Sequence, residues 1–313
     1  MEQQKVKTIK KKDFLTLMDY SAKEIMFMIE LAAKLKEDRN LHGDLLKGKN
    51  IAMLFDKHST RTRLSFEAGI SQLGGNCIYL SSENLQIKRG ETTEDSAKIF
   101  GRYLDGLVIR TFAQETVESF AKNSGITVIN GLTDKYHPCQ ALSDLFTIYE
   151  AGLLNKKLKF AYVGDCNNVS NSLMTGFAKL GLDITIGCSS IYEPSEDIMA
   201  SVLDIAQKSG SRITLKYEPS EAVSGADIIY TDVWVSMGDE HSEKKIKELS
   251  KFQVNKKLLA YASPGVKVMH CLPAHREMEI TSDVLDGKCS IVWEQAENRL
   301  HAQKALLVYL YSK

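Results

Sequence analysis

Short apolar runs alternate with amphipathic stretches along almost the whole chain. The apolar runs have the length and β-rich composition of buried strands, and they span residues 51–55, 77–80, 106–110, 126–130, 159–163, 183–187, 212–216, 226–230 and 266–270. Stretches with helical periodicity separate them, at 61–73, 92–103, 114–123, 170–180 and 194–208. Strands buried on both faces that alternate with helices predict an α/β fold with mostly parallel sheets flanked by helices.

A helical segment at about 140–149, followed by Gly152 and a lysine-rich turn, separates two sets of strands. The chain has 313 residues, and a single hydrophobic core is usually found in shorter chains than this, so we predict two domains. We expect the active site in the crevice between them. The first domain would comprise residues 1–150 together with a C-terminal helix at about 296–313 that returns to it. The second would comprise residues 151–295.

Bulk charge and composition narrow the functional classes. Forty basic residues balance forty acidic ones, which gives no reason to expect nucleic acid or an anionic membrane as partner. The basic start of the chain is not followed by a hydrophobic segment, so we expect no signal peptide. The six cysteines are scattered without a CxxC pair, which is typical of reduced thiols in a cytoplasmic protein.

Polar and reactive residues follow most of the predicted strands. In open α/β sheets, ligands bind beyond the carboxyl ends of the strands, so these positions indicate one ligand crevice. The segments concerned are DKHSTRTR after 51–55, Arg110 at the end of 106–110, HPCQ after 126–130, GDCNN after 159–163, TDVWVSMG after 226–230 and CLPAHR after 266–270.

The segment STRTR, residues 59–63, stands where a strand leads into a helix. Ser59 is a suitable N-cap, and the free N–H groups of the first helical turn, with hydroxyls and a guanidinium, suit a phosphate group. Taken alone, the segment fits a capped helix with exposed arginines as well as an anion site. Arg61 and Arg63 lie about 200° apart around a helix, so we assign Arg61 to the ligand and Arg63 to a structural ion pair.

Other chemistries receive less support from the residues. His270 and Cys271 are neighbours in a predicted strand and should face opposite sides, which argues against a cysteine hydrolase. The spacing of His270, Cys271 and His275 matches no standard zinc site, so we expect no metal. GDCNN lacks the GxGxxG pattern of a dinucleotide site, so we expect no nicotinamide cofactor and no other cofactor.

Taken together, STRTR, HPCQ, DVWVSMG and HCLPAHR resemble the aspartate/ornithine carbamoyltransferase family over essentially the whole chain. The SMG and HCLP segments resemble its ornithine-specific members. The resemblance implies transfer of a carbamoyl group from carbamoyl phosphate to the δ-amino group of L-ornithine, giving L-citrulline and phosphate. Alternatives are a sister enzyme that uses putrescine or an N-acylated ornithine, and a non-catalytic binding protein with the same fold.

The resemblance also implies roles for individual residues. Carbamoyl phosphate would be bound by Ser59, Thr60, Arg61, Thr62, Gln86, Arg110, His137, Gln140, Leu272 and Arg299. Leu272 would act through its backbone carbonyl, before a cis proline at 273. Ornithine would be bound by Asn168, Asp232, Ser236, Met237 and Cys271. Arg110, His137, Cys271 and Arg299 would be the catalytic residues.

The segment 81–92 resembles the loop through which each subunit of the family reaches a neighbouring site, with Gln86 as the contact. A homotrimer, or a multiple of trimers, follows from that resemblance. Lys88 and Arg89 fall at positions where family members vary, and a plain surface loop fits them equally well.

Overall fold

The structure is a computed structural model that describes residues 13–81, 90–235 and 242–312. Two parallel sheets, each flanked by helices, account for its strands and confirm the predicted fold class. Each predicted strand is present, with its ends shifted by at most two residues. Within these ranges, no helix is both long and apolar enough to cross a membrane.

The first sheet is built from the first set of apolar runs. Its strands are β1 (Asn50–Phe55), β2 (Asn76–Ser81), β3 (Gly106–Arg110) and β4 (Thr127–Leu132). They lie in the order β2-β1-β3-β4, and every pair is parallel. The helices of this half are α1 (Ala22–Glu37), α2 (Thr60–Gln72), α3 (Thr93–Tyr103), α4 (Gln114–Asn123) and α5 (Pro138–Glu150), after a short 3-10 turn at Leu17–Asp19.

The second sheet uses the second set of runs. Its strands are β5 (Phe160–Val163), β6 (Ile184–Gly187), β7 (Ile213–Lys216), β8 (Ile228–Thr231) and β9 (Lys267–His270). Their order is β7-β6-β5-β8-β9, again all parallel. The accompanying helices are α6 (Asn168–Leu180), α7 (Glu196–Ser209), α8 (Pro219–Ala222), α9 (Ser242–Leu249), α10 (Lys256–Leu259) and α11 (Ser282–Leu285), with a 3-10 turn at Ser250–Phe252.

The last helix, α12 (Val292–Tyr311), returns to the first half of the chain. It packs against α1, α2 and α5, and most of its length is buried. The side chain of Lys304 is buried there and donates to the Arg39 carbonyl at 2.8 Å and to Gln72 Oε1 at 3.0 Å. Such pairing removes the main penalty of burying a charge, so the buried Lys304 is compatible with the close packing of α12 against the first half.

Strand order places four of the polar loops at points where the order of a sheet reverses. The order of the first sheet reverses between β1 and β3, and that of the second between β5 and β8. Ligands in open α/β sheets bind at such reversals because the two following loops separate to opposite faces and leave a crevice. The loops after β1 and β3 therefore lie on one side of the site, and those after β5 and β8 on the other.

Candidate active site

A cavity of about 460 Å³ lies at these strand ends, between the two sheets. It is lined by every predicted site residue that the structure describes, namely Ser59, Thr60, Arg61, Thr62, Arg110, His137, Gln140, Asn168, Asp232, Cys271, Leu272 and Arg299. Three predicted ligand residues, Gln86, Ser236 and Met237, lie outside the described residues, as do Lys88 and Arg89.

The wall formed by the start of α2 is suited to an anion. Ser59 has extended backbone angles and is the N-cap, and its Oγ accepts from the Thr62 N–H at 3.2 Å. Capping leaves other N–H groups of the first turn directed out of the helix, at the positive end of its dipole. These groups stand beside Arg61 in the cavity, which is the arrangement that phosphate groups bind.

The two arginines of STRTR have separate environments. Arg63 Nε donates to Glu67 Oε1 at 3.2 Å, and its guanidinium lies over the Tyr79 ring, 3.8 Å from the centroid. The predicted structural ion pair is confirmed. Arg61 lines the cavity instead, where burial lowers its pKa while the nearby Cys271 and Asp232 raise it. One turn of helix thus directs one arginine into the crevice and the other into the scaffold.

Arg110 enters the cavity from an irregular strand end. The register between β3 and β4 shifts between Ile109 and Arg110, so that Arg110 pairs with Leu132. Burial, with Arg299 and Arg61 nearby, lowers the pKa of Arg110 to about 10, and its buried Nε has no protein partner. The guanidinium remains charged at neutral pH, and together the three arginines make this end of the cavity strongly positive.

His137 is held neutral at the start of α5. Burial, followed by the positive charges of Arg299, Arg110 and Arg61, lowers its pKa well below the ordinary value. Its backbone N–H donates to Ser172 Oγ at 2.8 Å, and its buried Nδ1 has no protein partner. A neutral imidazole carries one N–H, so His137 is suited to donate a hydrogen bond but not to supply a proton.

Arg299 of α12 connects two predicted ligand residues. Its NH1 donates to Gln140 Oε1 at 2.5 Å, and its NH2 donates to Thr62 Oγ1 at 3.1 Å. The side chain is buried, and burial lowers its pKa, opposed by the nearby Cys139, Asp144 and Cys271. Arg299 therefore fixes the positions of α2 and α5 relative to each other at the cavity wall.

The opposite wall contains one buried carboxylate. Asp232 Oδ2 accepts from Asn167 Nδ2 at 2.7 Å, and its Oδ1 accepts from the Cys271 thiol at 2.8 Å and the Val233 N–H at 2.8 Å. Asn168, at the start of α6, donates through Nδ2 to the Thr133 carbonyl at 2.6 Å. One N–H of that amide stays available, in a wall that combines an anion with neutral donors.

Asn167 is a residue that the sequence analysis missed. It is the N-cap of α6, because its Oδ1 accepts from the N–H groups of Val169 and Ser170, and it also bonds Asp232. The signal in the sequence was an asparagine, a preferred N-cap residue, three positions before the predicted helix at 170–180. The family resemblance directed attention to its neighbour Asn168 instead.

His270 and Cys271 lie closer together than strand alternation predicted. β9 ends at His270, so the alternation does not extend to Cys271, and the ligand atoms of Asp232, His270 and Cys271 lie within 4.8 Å of one another. Both ring nitrogens of His270 are nevertheless engaged. Nδ1 accepts from the Leu272 N–H at 2.9 Å, which leaves the proton on Nε2, 3.0 Å from Glu279 Oε1. His270 is thereby unavailable as a base for Cys271 or as a free metal ligand.

The turn after Cys271 has an unusual backbone. Leu272 has a φ of 57°, and the Leu272–Pro273 peptide bond is cis, as the resemblance implied. A branched residue in the left-handed region requires support from its surroundings. The hydrogen bond from the Leu272 N–H to His270 Nδ1 supplies part of it.

Comparisons with known proteins agree with this geometry. Residues 12–150 match the family model described as aspartate/ornithine carbamoyltransferase, carbamoyl-P binding domain, and residues 156–310 match its Asp/Orn binding domain. The chain is 52% identical over 300 residues to the ornithine carbamoyltransferase of Bacillus thuringiensis subsp. konkukian, covering 96% of this chain and 94% of that protein.

Solved structures give the same result. Ornithine carbamoyltransferase from Pyrococcus furiosus aligns with a TM-score of 0.93 at 46% identity, covering 98% of this chain and 99% of that one. The anabolic ornithine carbamoyltransferase from Campylobacter jejuni aligns with a TM-score of 0.91 at 40% identity, covering 96% of this chain and 99% of that one. Similarity therefore extends over both halves of the cavity.

Proposed function

This chain belongs to the aspartate/ornithine carbamoyltransferase family, and we propose that it transfers the carbamoyl group of carbamoyl phosphate to the δ-amino group of L-ornithine. The products are L-citrulline and phosphate. The observation that carries this proposal is the cavity itself, in which an arginine-rich wall at the start of α2 faces Asp232 and Cys271 of the second half. One wall suits a phosphorylated donor and the other an amino acid.

Carbamoyl phosphate occupies the positive end in this proposal. Ser59, Thr60, Arg61 and Thr62 bind the phosphate group through the helix N-terminus, hydroxyls and one guanidinium. Arg110 and His137 donate to the carbonyl oxygen, which becomes negative when the amine adds. Donors fixed in a buried site stabilise that charge more than water does. Gln140 Oε1 and the Leu272 carbonyl accept from the carbamoyl NH2 group.

Ornithine occupies the other wall. Asp232 binds its α-ammonium group, and the amide of Asn168 binds its α-carboxylate, so that each charge of the zwitterion finds a partner. Ser236 and Met237 complete this part of the site in the proposal. Putrescine has no carboxylate for Asn168 to bind, which is the reason for preferring ornithine as substrate.

The reaction needs a neutral amine. The δ-nitrogen adds to the carbamoyl carbon, and the carbonyl electrons move to oxygen. Their return breaks the bond to phosphate, and the nitrogen loses its proton to the departing phosphate. Because ornithine's amine is mostly protonated at neutral pH, the rate rises with pH until the neutral form predominates. The enzyme contributes orientation and charge stabilisation.

Cys271 acts as a thiol in this scheme. Burial and the adjacent Asp232 raise its pKa well above the ordinary value, so the thiol form persists throughout the neutral range. We therefore expect Cys271→Ser, which can still donate to Asp232, to retain turnover within about tenfold and to keep the wild-type pH profile below pH 9. Steady-state rates from pH 6 to 9 measure both. The thiol role would be contradicted if the rate of Cys271→Ser no longer fell toward low pH, or if the wild-type enzyme showed a burst of acylated enzyme.

The assembly and cellular setting are also part of the proposal. We place the chain in arginine metabolism in the cytoplasm, as a homotrimer whose subunits complete one another's sites through Gln86. The first domain, residues 1–150 with 296–313, supplies the carbamoyl phosphate site, and residues 151–295 supply the ornithine site.

Exposed apolar side chains on α2, β2 and α3 (Leu64, Ile78, Ile99 and Tyr103) support a subunit interface on these elements. Sedimentation analysis tests the trimer, and a monomer at assay concentration would refute it.

One assay tests the reaction. Carbamoyl phosphate is supplied with ornithine, putrescine, acetylornithine or aspartate, and both phosphate and the ureido product are measured. We expect turnover with ornithine, exceeding that with each other amine by at least about 100-fold. Acetylornithine leaves the buried Asp232 charge without its ammonium partner, putrescine leaves the Asn168 amide without a carboxylate, and aspartate has no δ-amino group. Turnover with putrescine but not ornithine would reassign the substrate. No turnover with any amine would favour a binding protein.

A further inference from the structure

A second buried carboxylate, Asp144, lies behind the cavity wall, one turn after Gln140 on α5. Its Oδ1 accepts from Gln140 Nε2 at 2.8 Å and from Gln295 Nε2 at 2.7 Å. Its Oδ2 accepts from the Tyr230 hydroxyl at 3.0 Å. Three donors from α5, α12 and β8 thus converge on one carboxylate that does not line the cavity.

The contact with Gln140 determines which end of that amide faces the substrate. A carboxylate without a proton only accepts, so it requires the NH2 end of Gln140 on its side. Arg299 only donates, so it requires the oxygen on the other side, where Gln140 Oε1 accepts from Arg299 NH1 at 2.5 Å. With both ends specified, the oxygen of Gln140 is held at the cavity as an acceptor.

The other two donors connect Asp144 to the opposite half of the site. Tyr230 lies on β8, two residues before Asp232. Gln295 accepts through Oε1 from the His270 N–H at 2.9 Å, on the residue before Cys271. The side chain of Asp144 therefore joins the helix that carries Gln140 to the two strands that lead into the ornithine wall.

The charge state of Asp144 agrees with an acceptor role. Burial raises its pKa to about 6, while the hydrogen bonds from Gln140, Gln295 and Tyr230 lower it. The group is therefore mostly ionised at pH 7.5, where each of its three donors has an acceptor. A buried ion held in this way is costly, and a structural role alone is filled as well by apolar packing.

We propose that Asp144 is a positioning residue, which orients the Gln140 amide toward the carbamoyl group and joins it to the strand ends that bind ornithine. This rests on the proposed function, because the benefit of an oriented Gln140 is measured on carbamoyl transfer. Asp144 touches no substrate in this proposal.

A double-mutant cycle between Asp144→Ala and Gln140→Ala tests it. Each single variant is expected to lose about 100-fold in kcat/KM for carbamoyl phosphate. A loss of this size is typical when a group that contacts the reacting part of the substrate is displaced. Removing Gln140 when Asp144 is already absent should cost less than about fivefold more, because the misoriented amide contributes little. Losses that multiply to about 10⁴-fold would show that the residues act independently and would overturn the proposal.

Two further variants separate positioning from folding. Asp144→Asn retains one oxygen for Gln140 and Gln295, so it should recover to within about tenfold of wild type. Asp144→Leu keeps the branched shape of the side chain, at a larger volume, without an acceptor. It serves in the cycle if the alanine variant does not fold and should behave as that variant does. An Asp144→Asn enzyme as slow as Asp144→Leu would overturn the proposed orientation of Gln140 through the retained oxygen.

Thr147→Ala is the matched control. Thr147 is also buried on α5, and its Oγ1 accepts from Asn298 Nδ2 at 3.1 Å, one turn further from the cavity. It should melt at a lower temperature with kcat/KM within about threefold of wild type. A kinetic loss equal to that of Asp144→Ala would reduce Asp144 to a structural role. Absence of turnover in the wild-type enzyme would instead refute the proposed function, so the two failures are distinguishable.

Discussion

Replacing Arg61 with alanine is expected to lower kcat/KM for carbamoyl phosphate by about 10²–10³-fold, the usual effect of removing one fixed donor from a charged, buried site. Arg61 lines the cavity in the first turn of α2, and the positive charges of Arg110 and Arg299 lie nearby. A phosphate dianion neutralises that cluster. Removing one of the three charges therefore weakens binding of the dianion in the ground state and of the departing phosphate in the transition state.

Arg63→Ala is the matched control, since it is the same substitution two positions further along the same helix. Arg63 loses a half-exposed pair with Glu67 and its contact with the Tyr79 ring, together worth about 1 kcal/mol of stability. We expect a small decrease in melting temperature and a carbamoyl phosphate KM within about threefold of wild type. Calorimetric titration with inorganic phosphate isolates the anion contact. Equal affinity in Arg61→Ala and wild type would remove Arg61 from the phosphate site.

The contrast between these arginines illustrates what a sequence determines locally. An N-cap serine and an angle of about 100° per residue are properties of one helix, so they hold wherever that helix packs. The strands were predictable for a similar reason, because burial on both faces leaves an apolar run with no polar alternation. The placement of Arg110 and the HPCQ segment at the crevice also followed from their positions at strand ends, whereas the roles of Arg110, His137 and Gln140 came from the family resemblance.

Partners across the fold were not predictable in this way. Asp144 is an acidic residue inside a helical pattern, and nothing near it in sequence identifies Tyr230 or Gln295 as its donors. The sequence predicted Tyr230 only as part of an apolar strand, which gave no reason to expect its hydroxyl to bind Asp144. The proximity of His270 to Cys271 depended on β9 ending at His270, and the position of a strand end is set by tertiary packing.

Asp232→Asn is expected to raise the KM for ornithine by about 100-fold while leaving the KM for carbamoyl phosphate within about threefold. The substitution keeps the shape of the side chain but removes the negative charge that pairs with the α-ammonium group, and charge-assisted hydrogen bonds of this kind contribute about 1.5–3 kcal/mol. Asp232 is buried, so water does not replace the lost partner. Asp183→Asn is the control, because Asp183 pairs with Arg212 on the exposed surface of the same half.

A second substrate tells which amine Asp232 serves. 5-Aminopentanoate has the reacting amine and the carboxylate of ornithine but no α-ammonium group. The wild-type enzyme should use it about 100-fold less well than ornithine, and Asp232→Asn should reduce that residual rate by less than about threefold, because the contact is already absent. An equal loss on both substrates would show that Asp232 acts on the reacting amine. The contact that could transmit this effect is the Cys271 thiol, which donates to Asp232 Oδ1 at 2.8 Å. In that event the α-ammonium contact would belong to other residues of the second half.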